Sequence, residues 1–266
     1  MRKPVWSLLG SAVLAAILAV GCASKATVTA PVPEYDIVVA EDGSGDYDGL
    51  AAALEHAEAG DVIYVKPGTY YGGVEVGTNR LTIVGAGADR TIIDADDDYA
   101  ALSVDADELE VTGVTLCGGS SHGIYIEDGD HRFHGCLIVD NDDRGIYFSS
   151  FSDEPGARID HCTIANNAVS GIYAPVDNSD IEITNCIIAF NGRGIVSDEA
   201  RGLMTIESNC VYEDDGDDGE FDRVTPGEGN ITEDPLFVDP DDDDYRLEGA
   251  SPCIGAASDG RNMGCF

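Results

Sequence analysis

A chain of 266 residues with 43% apolar content is long enough to bury a continuous core, and suits one ordinary domain or a short solenoid. Its 51 acidic residues against 14 basic ones give a formal charge of -37. Binding phosphates needs clustered cations, so nucleic acid is excluded as a partner and an anionic membrane surface is an equally poor one; what remains is a soluble, self-repelling surface of the kind seen in salt-adapted secreted proteins.

At the amino terminus, "MRKPVWSLLGSAVLAAILAVGC" carries Arg2 and Lys3, a short apolar run, and small residues before Cys22. That is the pattern of an export signal, too short and wrongly flanked for a membrane span of the mature protein. The stretch "LAVGCAS" resembles a bacterial lipoprotein signal, although Ala19 stands where that signal more often has leucine. The resemblance implies a signal peptide over residues 1–21, cleavage before Cys22, and acyl chains on the Cys22 sulfur. Residues 22–34, small, Thr-rich and Pro-bearing, read as a tether. The expected location is the bacterial cell envelope, periplasmic or surface-exposed, with the membrane touched through lipid alone.

Residues 35–266 read as one domain. It opens with a helical pattern over 47–61, in which Leu50, Leu54 and Ala57 share a face, Asp48 is the candidate N-cap and Gly60 the stop. Such a helix would cover the exposed edge of whatever sheet follows.

From there the chain repeats itself. Close variants of one phrase stand at 135–147 ("GCLIVDNDDRGIY"), 161–173 ("HCTIANNAVSGIY") and 185–196 ("NCIIAFNGRGIV"). Alignment on the cysteines makes Val114, Cys136, Cys162, Cys186 and Cys210 equivalent, in steps of 22, 26, 24 and 24 residues, the range that marks solenoids. Before each of these stand Gly113, Gly135, His161, Asn185 and Asn209, residue types that enter the left-handed backbone region readily, so a tight corner is expected there. Five places after the first four stand Gly119, Asn141, Asn167 and Asn191, a second recurring bend with stackable amides. Between the bends lie short β-prone segments with no helical period.

Strands this short, separated by corners and recurring at a fixed step, pair in parallel with their equivalents one turn later. About eight coils fit between residues 62 and 250, or roughly 40 Å of stack. Ile124, Ile146, Ile172 and Ile195 should form one inward column, with the cysteines beside it as small, reduced hydrophobes. The rhythm ends near residue 213, where an irregular, Pro-, Gly- and Asp-rich carboxy-terminal cap is expected to run to residue 266.

The stretch "VVAEDGSGDYDGLAAALEHAEAGDVIYVKPGTYYGGVEVGTNRLTIVGAGADRTIID" (38–94) resembles the opening of pectin methylesterases and other members of the pectate-lyase-like superfamily. The ending "DPLFVDPDDDDYRLEGASPCIGA" (234–256) is similar to the close of many secreted bacterial right-handed β-helix repeat proteins. Together these resemblances imply an all-β fold, a right-handed single-stranded parallel β-helix with an amino-terminal capping helix. They specify activity weakly, because one fold hosts many chemistries. The catalytic strands of the esterases have no counterpart that aligns in this chain, so no catalytic residue is carried over.

If the isoleucine of each "GIY" faces inward, alternation turns Tyr125, Tyr147 and Tyr173 outward as a ladder. Aromatic faces in a line suit sugar rings, and cross-strand stacking accounts for the same pattern. His122, Arg144, Ser170 and Arg193 share the column before each glycine, so Arg144 and Arg193, about 10 Å apart, could lodge a uronate carboxylate, or could be solvated ion pairs. Carboxylates at Asp128, Asp142 and Asp143 are of the type that suits Ca2+, a cofactor the sequence allows without requiring. With Cys22 assigned to lipid, Cys253 and Cys265 in the irregular tail are the best candidates for a disulfide. The expected function is a lipid-anchored, monomeric display protein that binds polysaccharide or another envelope component through its outer face. The alternatives are a polysaccharide lyase or glycoside hydrolase on the same fold, and a structural spacer with no ligand.

Overall fold

The computed structural model describes residues 35–149, 156–174, 180–198, 204–213 and 219–266. The expected signal peptide (1–21), tether (22–34) and lipid attachment at Cys22 fall outside the described residues. Among those described, no helix is long and apolar enough to cross a membrane.

Every coil supplies one strand to each of three parallel sheets. Among the described residues, sheet A has eight strands, from Ile37–Val39 to Thr205–Glu207; sheet B has seven, from Gly68–Tyr71 to Cys210–Tyr212; sheet C has seven, from Val74–Val76 to Phe221–Asp222. The chain visits them in the order A, B, C, so each circuit is one coil of a right-handed β-helix, and there are seven complete coils. Residues 227–231 lay a partial turn over the last: Gly227 N–H donates to Ile206 O and Val211 N–H to Ile231 O. The expected count of about eight is thus one high, because the remaining residues leave the helix axis. The tail, including an antiparallel pair of Phe237–Asp239 with Asp244–Leu247, folds back on the outside of sheet B. There Phe237, Tyr245, Cys253 and Met263 meet Leu137, Val139, Ala165, Ile187 and Ala189 in a second apolar layer outside the coil.

The inward column forms as the alternation demands. Ile124, Ile146, Ile172 and Ile195 pair in register and are fully buried. Cys136, Cys162 and Cys186 pile in one file, also fully buried, at the corner between sheets A and B. The corner residues Gly113, Gly135, His161 and Asn185 have φ of 66°, 59°, 49° and 57°. The next corner corrects the alignment: the left-handed residue is Ser208 (φ 57°), not Asn209, and Ile187 pairs with Cys210. A shift of one residue reverses the face a side chain occupies. Asn209 therefore takes the place above Cys186, accepting its N–H at 2.9 Å, while Cys210 turns out into the layer beneath the tail.

The second bend is likewise one residue early, at Gly118, Asp140, Asn166 and Phe190 (φ 72°, 55°, 54° and 58°). This leaves the following asparagines buried and stacked. Asn141 Nδ2 donates to Asn167 Oδ1 at 2.8 Å, and Asn167 Nδ2 to Asn191 Oδ1 at 2.9 Å. Each amide also donates to the carbonyl two residues before it, Val139, Ala165 and Ala189. Buried backbone groups at the bend are thereby satisfied from within the ladder.

The amino-terminal helix is shorter than its pattern, Leu50–Leu54, and starts from Gly49 with no side-chain cap, so Asp48 does not serve as one. It still buries Leu50, Ala53 and Leu54. All seven described cysteines are free thiols, so the expected Cys253–Cys265 bridge is not formed. Cys253 sits beside Cys210, across the tail interface, and Cys265 beside Thr163, where its backbone N–H donates to the Thr163 hydroxyl.

Candidate functional site

Sheet C carries the outward row anticipated from "GIY". Glu75 and Tyr125 pair with Ser103, and Tyr125, Tyr147 and Tyr173 pair in turn, so the row crosses five neighbouring strands. The orientation of the rings was not legible in the periodicity. Tyr125 and Tyr147 stack at 5.7 Å with planes 20° apart, and Tyr147 and Tyr173 at 5.5 Å with planes 11° apart. Their faces are turned to one another along the stack, so what meets solvent is a line of ring edges and phenolic hydroxyls. A flat platform for sugar rings is thus not what the strands build; a row of hydrogen-bonding groups is.

Alongside this row, at the strand starts, three ionisable side chains come together. His122 stacks on Tyr147 at 4.6 Å and meets the edge of Tyr99 at 5.2 Å. Arg144 lies against two rings, 5.2 Å from the Tyr147 centroid and 4.6 Å from that of Tyr173, and pairs with Asp143. The Asp143 carboxylate is also 4.0 Å from His122 Nδ1. Arg193 does not join them: it turns to Asp222 at 2.9 Å and is 56% exposed. The two arginines of the column therefore cannot clamp one carboxylate, because each has an acid of its own nearer by.

Burial, and secondarily Arg144, lowers the His122 pKa to about 4, so the ring is neutral at pH 7. Burial raises Tyr99, and burial together with Asp198 raises Tyr173 to about 12, so both phenols keep their protons. A stability effect follows from His122. The unfolded chain takes up a proton near pH 6.5 that the native ring refuses, so the contribution of the neutral ring is complete above about pH 6.5 and is lost as pH falls toward 4, up to about 3 kcal/mol. Urea unfolding of wild type and His122→Phe should show a stability difference that shrinks or reverses between pH 7 and pH 4. A difference constant with pH would contradict the buried neutral ring.

Beside the row, a pocket of about 560 Å³ is lined by Glu75, Tyr99, Ser103, Asp105, Tyr125 and Glu127. None of these except Tyr125 was singled out in the sequence; extending the ladder two coils back from Tyr125 along the register would have found Ser103 and Glu75. The acids proposed for Ca2+ are not assembled. Asp143 precedes the strand Arg144–Phe148, which pairs in register from His122, whereas Asp128 ends the strand His122–Asp128, so the two lie about 20 Å apart along the strand direction. Asp142 is exposed beside Asp143. Among the described residues, the group with ligand atoms close enough to hold a metal is elsewhere, His134, Asp160 and His161 at the corner of sheets A and B.

Comparison with known proteins agrees with this architecture. The family model for right-handed beta helix regions matches residues 100–219, and the pectinesterase family model matches residues 36–112. Probable pectinesterase 56 of Arabidopsis thaliana is 39% identical over 67 residues, covering 23% of this chain and 23% of that protein. Pectinesterase 2 of Citrus sinensis is 42% identical over 65 residues, covering 23% of this chain and 13% of that protein. The alignments thus span less than a quarter of the length of either relative. Among solved structures, pectin methylesterase PemA from Erwinia chrysanthemi superimposes with a TM-score of 0.55 at 14% identity, covering 70% of this chain and 68% of that one. A pectin methylesterase in complex with a hexasaccharide gives 0.52 at 15% identity, with the same coverage. At such identities the likeness establishes the fold. The pectinesterase matches overturn the expectation of a display protein that only binds, and favour the carbohydrate-active alternative. The two relatives are pectinesterases by name, and so neither lyases nor glycoside hydrolases.

Proposed function

We propose that the protein is a carbohydrate esterase that removes methyl groups from an acidic polysaccharide of the pectin class, with sheet C as its working face. The observation that carries this reading is the Asp143–Arg144 pair beside a neutral, buried His122, flanking a row of tyrosine hydroxyls, on a stack whose opening coils match the pectinesterase family. The row runs along the helix axis, as a linear glycan would, with Tyr125, Tyr147 and Tyr173 offering hydroxyls to it. Ester hydrolysis needs a base for the attacking water and a cation for the oxyanion that develops. Asp143 takes the water proton and returns it to the departing methanol, while Arg144 faces the carbonyl oxygen.

Net charge supports the same substrate. A surface of -37 repels a polyuronate but not its neutral methyl ester, and it repels the product once the carboxylate is freed. The test is incubation with highly methyl-esterified pectin while methanol is assayed, with ultraviolet absorbance followed in parallel for unsaturated chain ends. Methanol without unsaturated ends is expected. Unsaturated ends without methanol would transfer the site to a lyase, and neither product would end the enzymatic reading for this substrate.

A further inference from the structure

The corner between sheets A and B holds a cluster that the esterase site does not use. His134 and Asp160 are the last residues of neighbouring sheet A strands and pair in register with each other and with Thr184. Phe133 and Ile159, one place earlier, are fully buried, so His134 and Asp160 face outward. His161 follows at the left-handed corner, where the other coils place glycine, asparagine or serine. The Nδ1 atoms of both histidines lie 3.0 Å from Asp160 Oδ2, and the three ligand atoms fall within 4.8 Å of one another.

Two features of this cluster are not those of a simple ion pair. First, the His161 side chain is only 7% exposed, yet neither of its ring nitrogens makes a hydrogen bond. His134 takes the in-line position on Asp160 Oδ2, which leaves the His161 Nδ1 close to the same oxygen but out of line with it. A polar ring buried in this state is costly unless something else occupies its lone pair. Second, the surroundings have the order of a metal's outer shell. Asn185 Nδ2 and Thr184 Oγ1 donate to Asp160 Oδ1 at 2.8 and 3.1 Å, which fixes the carboxylate and leaves Oδ2 turned to the histidines. On the far side of the ring, His161 Nε2 faces Asp259 Oδ1 at 3.6 Å, and Asp259 is held in turn by the Arg261 guanidinium at 2.5 Å. A carboxylate behind an imidazole behind a shared point is the arrangement that sets tautomer and basicity in metal-bound histidines.

From this geometry we infer that His134, Asp160 and His161 bind one divalent transition-metal ion of the zinc class, which fastens the carboxy-terminal tail to the stack. Two imidazoles and one carboxylate suit zinc and its neighbours, and not calcium, which takes six to eight oxygens. The fourth position opens on a pocket of about 420 Å³ bordered by Arg261, Cys265 and Phe266, with room for water. Asp259 belongs to the tail, and the tail is hydrogen-bonded to the same corner, through Ser258 N–H to Asn185 Oδ1 at 2.7 Å and Gly264 N–H to Asn185 O at 2.9 Å. All three ligands come from the stack, so the ion acts on the tail through His161: fixing that ring fixes the nitrogen that faces Asp259, about 100 residues away in sequence, and strengthens a contact that must break before the tail lifts.

The test is calorimetric titration of the chelator-stripped protein with Zn2+, in high salt and excess Mg2+ so that surface carboxylates are occupied. One saturable zinc per chain is expected, with a zinc-dependent rise in melting temperature and slower hydrogen exchange in residues 256–265. His134 is 42% exposed, so His134→Ala leaves the fold intact while weakening zinc binding about 100-fold, and Asp259→Asn weakens it about 10-fold. No saturable binding above Mg2+, or equal affinity in His134→Ala, would overturn the site. Zinc binding lost in His134→Ala without any change in exchange of the tail would overturn the fastening role.

Discussion

Replacing Gly145 by alanine is expected to destabilise the protein by about 3 kcal/mol, an effect as large as deleting a large core side chain. The glycine of each "GI" is not there for a special backbone angle. Its added Cβ would stand 2.6 Å from Ile164 Cγ2, 2.7 Å from the Gly171 carbonyl oxygen and 2.9 Å from Asn167 Nδ2. The first neighbour is a packed core residue, the second is backbone, and the third is a rung of the amide ladder, so none gives way cheaply. Gly123 and Gly171 meet the same three kinds of neighbour at 2.5–2.8 Å and 2.6–3.1 Å. At these three glycines sheet C thus approaches the asparagine ladder too closely for any side chain. The control is Gly249→Ala, where nothing lies within 4 Å of the new methyl, and the change should stay within about 0.5 kcal/mol. Urea unfolding followed by circular dichroism measures both. Equal stabilities for the two variants would show that the coil breathes enough to admit a methyl group, and the close-packed column would be wrong.

The stacking was legible because its signals are local and repeated. Small or amide side chains at fixed offsets mark the corners, and isoleucine with tyrosine at alternate positions marks the faces of the strand that follows. Cys210 shows where that reasoning fails. A thiol is small and apolar enough for either face, so alignment on cysteines cannot detect that the last step is one residue shorter in register. The structure settles it by which neighbours are available: Asn209 finds the Cys186 N–H, the Ile183 carbonyl and the Asn230 amide, and Cys210 finds the tail. The tyrosine row was legible as a column and not as a surface, because periodicity fixes where a side chain starts and says nothing of its ring plane. Neighbouring strands stand about 4.8 Å apart, which is enough to draw the rings face to face and to spend those faces on one another. The corner cluster was beyond reach for a different reason. His161 carries only the signature of a bend, and its second partner, Asp259, arrives from the tail, whose return along sheet B no local spacing announces.

Asp143→Asn should lower methanol release from esterified pectin by about 10²- to 10⁴-fold, the range for loss of a positioned general base, with the melting temperature nearly unchanged. The amide keeps the shape of the carboxylate and one oxygen for Arg144, but it cannot accept the proton of the attacking water. The loss should fall on kcat, because the base acts on the water while Tyr125, Tyr147 and Tyr173 hold the glycan. Arg144→Lys separates the two parts of the pair. Lysine retains the charge but not the planar guanidinium that lies 4.6 Å from the Tyr173 ring, so its ammonium is no longer held where the oxyanion forms. A kcat loss smaller than that of Asp143→Asn is expected, with little change in KM. Glu127→Gln serves as the comparison, since Glu127 lines the neighbouring pocket without touching the pair. If Glu127→Gln abolished methanol release and Asp143→Asn left it intact, the chemistry would belong to that pocket, and the cluster beside the tyrosine row would be reduced to holding the strands together.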